Sequence, residues 1–246
     1  MFELSLSGAT ARLALNRPKA LNAIPVEGWS RLASAADEAM RSGARALILS
    51  GVPGGAFCAG ADISEFDTLR TDAEARSTFR RVMREGLDAL RDLPIPTLAL
   101  VEGACFGAGV ALAMACDIRV AGSGARFAIT PAKLGIAYPQ EDVHRLVSLV
   151  GEGQAARLLF GAQSIGAEEA ARIGLVDVAA EEAEEAARQL AEAIAANGAE
   201  SLRVLKRGIR LAARGAREDE GQDRMFDTLL GSPDLFERLA AHRRRK

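Results

Sequence analysis

Thr97-Leu98-Ala99-Leu100-Val101-Glu102-Gly103-Ala104-Cys105-Phe106-Gly107-Ala108-Gly109 runs directly into Val110-Ala111-Leu112-Ala113-Met114-Ala115-Cys116. The apolar run 97–101 follows two prolines and ends at a glycine-rich turn, which predicts a short strand buried on both faces. The stretch from Val110 to Cys116 predicts a helix opening from that turn. Glycine and alanine leave the turn's backbone bare, so a ligand can approach its N–H groups. Free N–H donors and the positive dipole end at a helix start favour negative charge.

The same arrangement occurs earlier. Ala46-Leu47-Ile48-Leu49 predicts a second buried strand, and it feeds Phe57-Cys58-Ala59-Gly60-Ala61-Asp62-Ile63. Two bare turns, each after a buried strand, read together as a two-donor backbone site for an oxyanion. One such donor is worth roughly 2.7–4 kcal/mol in enzymes that use it. A dinucleotide fingerprint fits poorly, because Leu112 stands where a third glycine belongs, and there is no Gly-Lys-Ser/Thr phosphate loop. A packed strand–helix corner explains either turn alone, but less well both.

Outward from these turns the chain alternates strands and helices. Phe2, Leu4 and Leu6, then Ala11, Leu13 and Leu15, predict a hairpin turning at Ser7-Gly8. Pro25 opens a helix with an apolar face of Val26, Trp29, Leu32, Ala33, Ala36 and Met40, stopped by Gly43. Asp72 caps a long helix from Ala73 to about Leu93, ended by Pro94 and Pro96. Ile118 to Ala121 predicts a further strand. A mixed α/β body therefore extends to roughly residue 140. Beyond it the spacing is helical over 143–150, 154–160, 167–173, 181–196, 201–213, 218–230 and 233–245, punctuated by glycines. The Ala- and Glu-rich run 179–196 keeps an amphipathic stripe of Ala187, Leu190, Ala191 and Ile194.

The bulk numbers exclude several classes. A chain of 246 residues with 49% hydrophobic and 26% charged residues can build a large core. A net charge of −2 and only 4% aromatics argue against nucleic acid and membrane surfaces as partners. The three cysteines, Cys58, Cys105 and Cys116, form no C-x-x-C pair and fit a reducing, cytoplasmic setting. No run reaches the length of a membrane span. With only His144 and His242, no metal cluster can be assembled. Ser50 and Ser64 lack a His–Asp partner set for a serine nucleophile. Cys58 and Cys105 read as small apolar fillers, and Arg243-Arg244-Arg245-Lys246 as a solvated helix end.

The ordered blocks Asn16-Arg17-Pro18-Lys19-Ala20-Leu21-Asn22-Ala23, Phe57 to Ile63, Gly103 to Asp117, Phe127 to Gly135 and Gly166 to Val176 resemble those of the enoyl-CoA hydratase/isomerase (crotonase) family. The resemblance covers essentially the whole chain. It implies a spiral of β-β-α units over residues 1–190 and a helical trimerisation region over 191–246, with assembly to a homotrimer or hexamer. It implies an acyl-CoA substrate, with coenzyme A arriving on the substrate and no separate cofactor. The amides of Ala61 and Ala108 would hold the thioester oxygen. Lys19, Ala20, Leu21, Ala59, Asp62 and Ile63 would line the CoA-binding stretch, although Asp62 equally suits a turn cap.

The departures matter as much. Hydration needs groups that position water and deliver a proton to the α-carbon. The family's two glutamates fall at Ala111 and Pro131 here, and neither residue can move a proton. Hydration by a glutamate pair is therefore not expected. The segment Thr130 to Tyr138 resembles the corresponding loop of methylmalonyl-CoA decarboxylases, which offers decarboxylation or another lyase reaction using Tyr138 as one alternative. That resemblance is partial, because a histidine in those enzymes is replaced by Ala61. A CoA-binding homologue without catalysis is another alternative. Glu141 stands open as a relocated acid–base group, whereas Asp142 reads as a carboxylate favoured by a helix N-terminus.

Overall fold

The computed structural model describes residues 1–244. Its main sheet has the order β1-β2-β3-β4-β6-β9, formed by β1 (Phe2–Ser7), β2 (Thr10–Leu15), β3 (Ala46–Gly51), β4 (Thr97–Val101), β6 (Ile118–Gly122) and β9 (Val178–Ala180). The β1–β2 hairpin is antiparallel, and every later pairing in this sheet is parallel. A small second sheet has the order β5-β7-β8, from β5 (Ala104–Phe106), β7 (Arg126–Ala128) and β8 (Ile165–Gly166). A single parallel bridge between Cys58 and Cys105 extends it toward the first glycine-rich turn.

Each turn of the chain thus places one strand in the large sheet, one short segment in the small sheet, and then a helix. The helices closing these turns are α1 (Val26–Arg41), α3 (Ala73–Asp92), α4 (Ala108–Ala115) and α5 (Gln140–Gly161). A short α2 (Phe66–Leu69) precedes α3. Parallel strands need such crossovers, and helices on the faces bury both sides of the sheet. That is why β3 and β4 read as unbroken apolar runs rather than alternating ones.

The helix starts follow their chemistry. The Asp72 side chain accepts from the backbone of Glu74 and Ala75, capping α3 as expected. Pro25 precedes α1, and its Val26 N–H is satisfied at a distance by Glu65, at 2.7 Å. On α1 the buried residues are Gly28, Trp29, Leu32, Ala36 and Ala39, and Met40 is exposed. The buried face therefore runs through Ala39 rather than Met40, and α1 packs against α3. The two helices expected over 143–150 and 154–160 meet within α5 at Gly151, whose non-helical φ of 76° and ψ of 163° separate them, as expected.

The purely helical pattern expected after residue 140 is corrected by β8 and β9, which are two and three residues long. They hold little periodic sequence, and only partner strands already in place make them strands. Between them lies α6 (Ala167–Arg172), and α7 (Ala183–Ala195) follows. Helix α7 lays Ala183, Ala187, Ala191 and Ala195 on Ala46, Ile48, Leu98, Leu100 and Val120 of the sheet. Alanines on that face let the helix approach closely, while Leu190 and Ile194 pack at its margin. The chain ends in α8 (Ala199–Ala213), α9 (Glu220–Leu230) and α10 (Pro233–Arg244). Arg245 and Lys246, the end of the expected basic tail, lie outside the described residues. Among the described residues no helix is long and apolar enough to cross a membrane.

Candidate active site

The two glycine-rich turns meet. Phe106 N–H donates to the Cys58 carbonyl at 2.9 Å, and Cys58 N–H donates to the Ala104 carbonyl at 3.0 Å. Glycine is required on both sides of the contact. A Cβ at Gly109 would lie 2.1 Å from the Cys58 oxygen. Gly60 has a φ of 102°, and a Cβ there would sit 3.1 Å from the Ala108 nitrogen. The turns are thus close enough that the backbone around residue 60 touches the first amide of α4.

The peptide units flanking the two expected donors are fixed. The Gly60 carbonyl accepts from Ile24 N–H at 2.7 Å, and Asp62 N–H donates to the Ile24 carbonyl at 2.9 Å. In a trans peptide the N–H points away from its own C=O, so the Ala61 N–H lies opposite Ile24. Gly107 has a φ of 51° and a ψ of −117°, and it starts α4. Its carbonyl accepts from Val110 N–H at 3.0 Å and from the Tyr138 hydroxyl at 3.1 Å. The Ala108 N–H is directed the other way, out of the helix end. Among the described residues neither amide donates to a protein acceptor. Both residues line one cavity of about 960 Å³.

The remaining cavity wall is mostly apolar, with Ile63, Phe66, Phe79, Met83, Leu134 and Ile136 among its members. Pro131 lines it too, so the structure puts no proton-transfer group at that position. Ala111 is buried on α4. Tyr138 lines the cavity with its hydroxyl held on the Gly107 carbonyl. Burial, and next the charge of Asp142, push its ionisation well above the ordinary phenol range, so it is a lasting donor.

The CoA-stretch residues divide. Ile63 lines the cavity and is 61% exposed, while Lys19, Ala20, Leu21, Ala59 and Asp62 lie outside it. Pro18–Ala20 is a single tight helical turn, and Leu21 and Asn22 both adopt positive φ. Ala59 N–H donates to the Leu21 carbonyl at 2.9 Å, tying this turn to the first glycine-rich one. Buried Asn22 reinforces the tie by donating to the Ala56 carbonyl at 2.6 Å. Asp62 caps its own turn. It accepts from Ser64 N–H at 3.1 Å, from the Ser64 hydroxyl at 2.6 Å and from Arg17 at 2.5 Å. These bonds, Ser64's first, hold its carboxyl below the usual range.

Glu141 lines the cavity and is exposed. Asp142 stands in the first turn of α5, the helix N-terminus the sequence suggests. It is fully buried, with Oδ1 accepting from Arg84 Nη2 at 2.8 Å, and it too lines the cavity. Burial raises its carboxyl above the ordinary range, against the pull of Arg84. Sequence reasoning missed Arg84 altogether, because an arginine on a long charged helix gives no sign of which way it faces. Cys58 and Cys105 are free and buried, and burial pushes the Cys58 thiol up to about 12. They are inert fillers, as expected. His144 is exposed.

Known proteins resemble this chain in sequence and fold over nearly its whole length. The enoyl-CoA hydratase/isomerase family model matches residues 6–233. The short-chain-enoyl-CoA hydratase of Clostridium acetobutylicum is 38% identical over 209 residues, which is 84% of this chain and 79% of the relative. A crystal structure of an enoyl-CoA hydratase/isomerase family protein from Hyphomonas neptunium is 37% identical, with a TM-score of 0.94, covering 100% of this chain and 95% of its own. A crystal structure of an enoyl-CoA hydratase/carnithine racemase from Magnetospirillum magneticum is 31% identical, also with a TM-score of 0.94, covering 100% and 93%. Mixed α/β architecture, paired glycine-rich turns and sequence identity all lead to one place: the chain belongs to the enoyl-CoA hydratase/isomerase family and has the crotonase fold.

Proposed function

We propose that this protein is an acyl-CoA thioester enzyme that stabilises an enolate on the paired amides of Ala61 and Ala108. The observation that carries this reading is that both N–H groups are unused by the protein and both residues line one cavity. An enolate oxygen concentrates negative charge where the thioester carbonyl was. Two fixed donors and the start of α4 favour that charge without reorganising during the reaction. The flanking bonds to Ile24 and Tyr138 supply the rigidity such a site needs.

With Ala111 and Pro131 at the family's carboxylate positions, water is not activated by a glutamate pair. The reaction is then proton movement at the α-carbon, as in shifting a double bond, with the acid–base group drawn from the Tyr138–Asp142 segment. Glu141 is the exposed carboxylate of that segment and the candidate to exchange protons with solvent. A second reading is loss of carbon dioxide from an α-carboxylated acyl-CoA. It is favoured by Tyr138, whose hydroxyl sits against the Gly107–Ala108 peptide.

The test is incubation of purified protein with crotonyl-CoA, a 3-enoyl-CoA and methylmalonyl-CoA, each followed by mass. Conversion of the 3-enoyl-CoA, with little hydration of crotonyl-CoA, is the expected result. Fast hydration of crotonyl-CoA would reinstate water activation and overturn the proton-movement assignment. Conversion of methylmalonyl-CoA alone would establish the second reading. Tight binding of all three without turnover would make the protein a CoA-binding homologue.

A further inference from the structure

Helix α3 forms one wall of the cavity, and its residues there include Ser77, Arg80, Arg81 and Arg84, at helical spacing. Arg84 is the most enclosed of these arginines, with its side chain 18% exposed. It is held from two sides. Nη2 donates to Asp142 Oδ1 at 2.8 Å, and Nε lies 3.9 Å from Asp88 Oδ2 one helical turn on. Asp88 is shared further, with Arg145 at 3.0 Å and Arg91 at 3.8 Å.

Counting charges, three guanidinium groups (Arg84, Arg91 and Arg145) are served by two carboxylates (Asp88 and Asp142). The cluster is one negative charge short when both carboxylates are ionised. Arg84 Nη1, Arg145 Nη1 and, on the acidic side, Asp142 Oδ2 are buried and have no partner among the described residues. A buried guanidinium with unused N–H groups is costly, and a carboxylate is the group whose geometry its fork matches. Burial also lowers the pKa of Arg145, the expected response of a crowded cationic cluster lacking its counter-charge. Exposed Glu141, the neighbour of Asp142 on α5, forms no ion pair with any of the three.

We infer that the acyl group of the substrate ends in a carboxylate, and that Arg84, positioned by Asp142, receives it. This rests on the acyl-CoA reading above and narrows it to thioesters of dicarboxylic acids. The apolar wall from Phe66 and Met83 suits the methylene chain between the thioester and the charged end, while Arg84 supplies the counter-charge at the cluster. A purely structural strut between α3 and α5 would also pair Arg84 with Asp142, but it would give no preference among acyl groups. Arginines acting only on the phosphates of coenzyme A would strengthen all thioesters equally.

Isothermal titration separates these outcomes without depending on turnover. Succinyl-, glutaryl- and adipyl-CoA are compared with butanoyl-, pentanoyl- and hexanoyl-CoA, so that chain length is scanned along with charge. The expected result is that the best dicarboxylyl thioester binds at least tenfold more tightly than its neutral counterpart. In the double variant Arg84→Met/Asp142→Asn, which removes the ion pair as a unit, that ratio falls to about one, with thermal unfolding checking that the variant folds. A wild-type ratio of one or less across the series overturns the inference. So does a ratio that survives in the folded double variant. If neither series binds, the acyl-CoA reading itself fails and takes this inference with it, a result distinct from equal binding of both.

Discussion

At the scale of single residues, this site is decided by atoms that are absent. Gly109 has no Cβ because the Cys58 carbonyl occupies the place where one would go, 2.1 Å away. Gly109→Ala must push the two turns apart, at a cost of about 3 kcal/mol or more for overpacking against rigid backbone. Urea unfolding should show that loss, and acyl-CoA affinity should fall with it, since the Ala108 amide moves too. Asp62 makes a prediction of a different kind. Its folded carboxyl titrates below the ordinary value because Ser64, and then Arg17, bond its charged form. The unfolded chain therefore takes up that proton first as pH falls. The stabilisation is complete above about pH 4 and is lost as pH drops through the folded value. Unfolding of wild type and Asp62→Asn should differ most near neutral pH and converge in acid. An unchanged gap would assign the difference to something other than this carboxylate.

At the scale of elements, the fold is tied by buried charges that join pieces distant in sequence. Lys206 on α8 is 6% exposed, donates to the Ile95 carbonyl at 2.7 Å and pairs with Asp117 at 2.6 Å. Asp117 in turn accepts from Thr97 N–H at 2.8 Å. One ammonium thus fastens α8 to the start of β4 and to the lead into β6. Lys206→Met keeps the buried stem but removes these charged bonds, and should destabilise the protein by about 2–3 kcal/mol in urea unfolding. Arg119 does similar work between β6 and β9. Its side chain donates to the carbonyls of Leu175 and Cys116 and pairs with Asp177 at 2.5 Å. Apart from the local Arg119–Cys116 bond, none of these ties follows from local pattern, because the partners lie 20 or more residues away. The elements themselves were readable where periodicity was long. Helices α1, α3 and α7 stand close to their expected bounds, whereas β5, β7, β8 and β9 are too short to carry a period.

At the scale of the whole molecule, the last three helices leave apolar side chains in water. Leu205, Ile209, Phe226, Leu230 and Phe236 are 52–71% exposed, and α9 and α10 bury no residue. Apolar surface gathered in this way marks a protein interface. We therefore expect association through this region into a trimer or hexamer. Sedimentation should show it, and Ile209→Asp with Phe226→Asp should shift the species to a monomer. A wild-type monomer at micromolar concentration would remove that expectation. The sequence by itself determined the alternation of strands and helices, the two bare turns and the absence of carboxylates at positions 111 and 131. These are properties of adjacent residues, written in spacing and side-chain type. Only the tertiary structure decided that the two turns touch, that Tyr138 bonds the Gly107 carbonyl, and that Asp142 is buried against Arg84 rather than left in solvent. Those facts depend on segments 30 to 60 residues apart being brought together by parallel strand pairing, and no local pattern encodes the direction in which a charged side chain on a helix will turn.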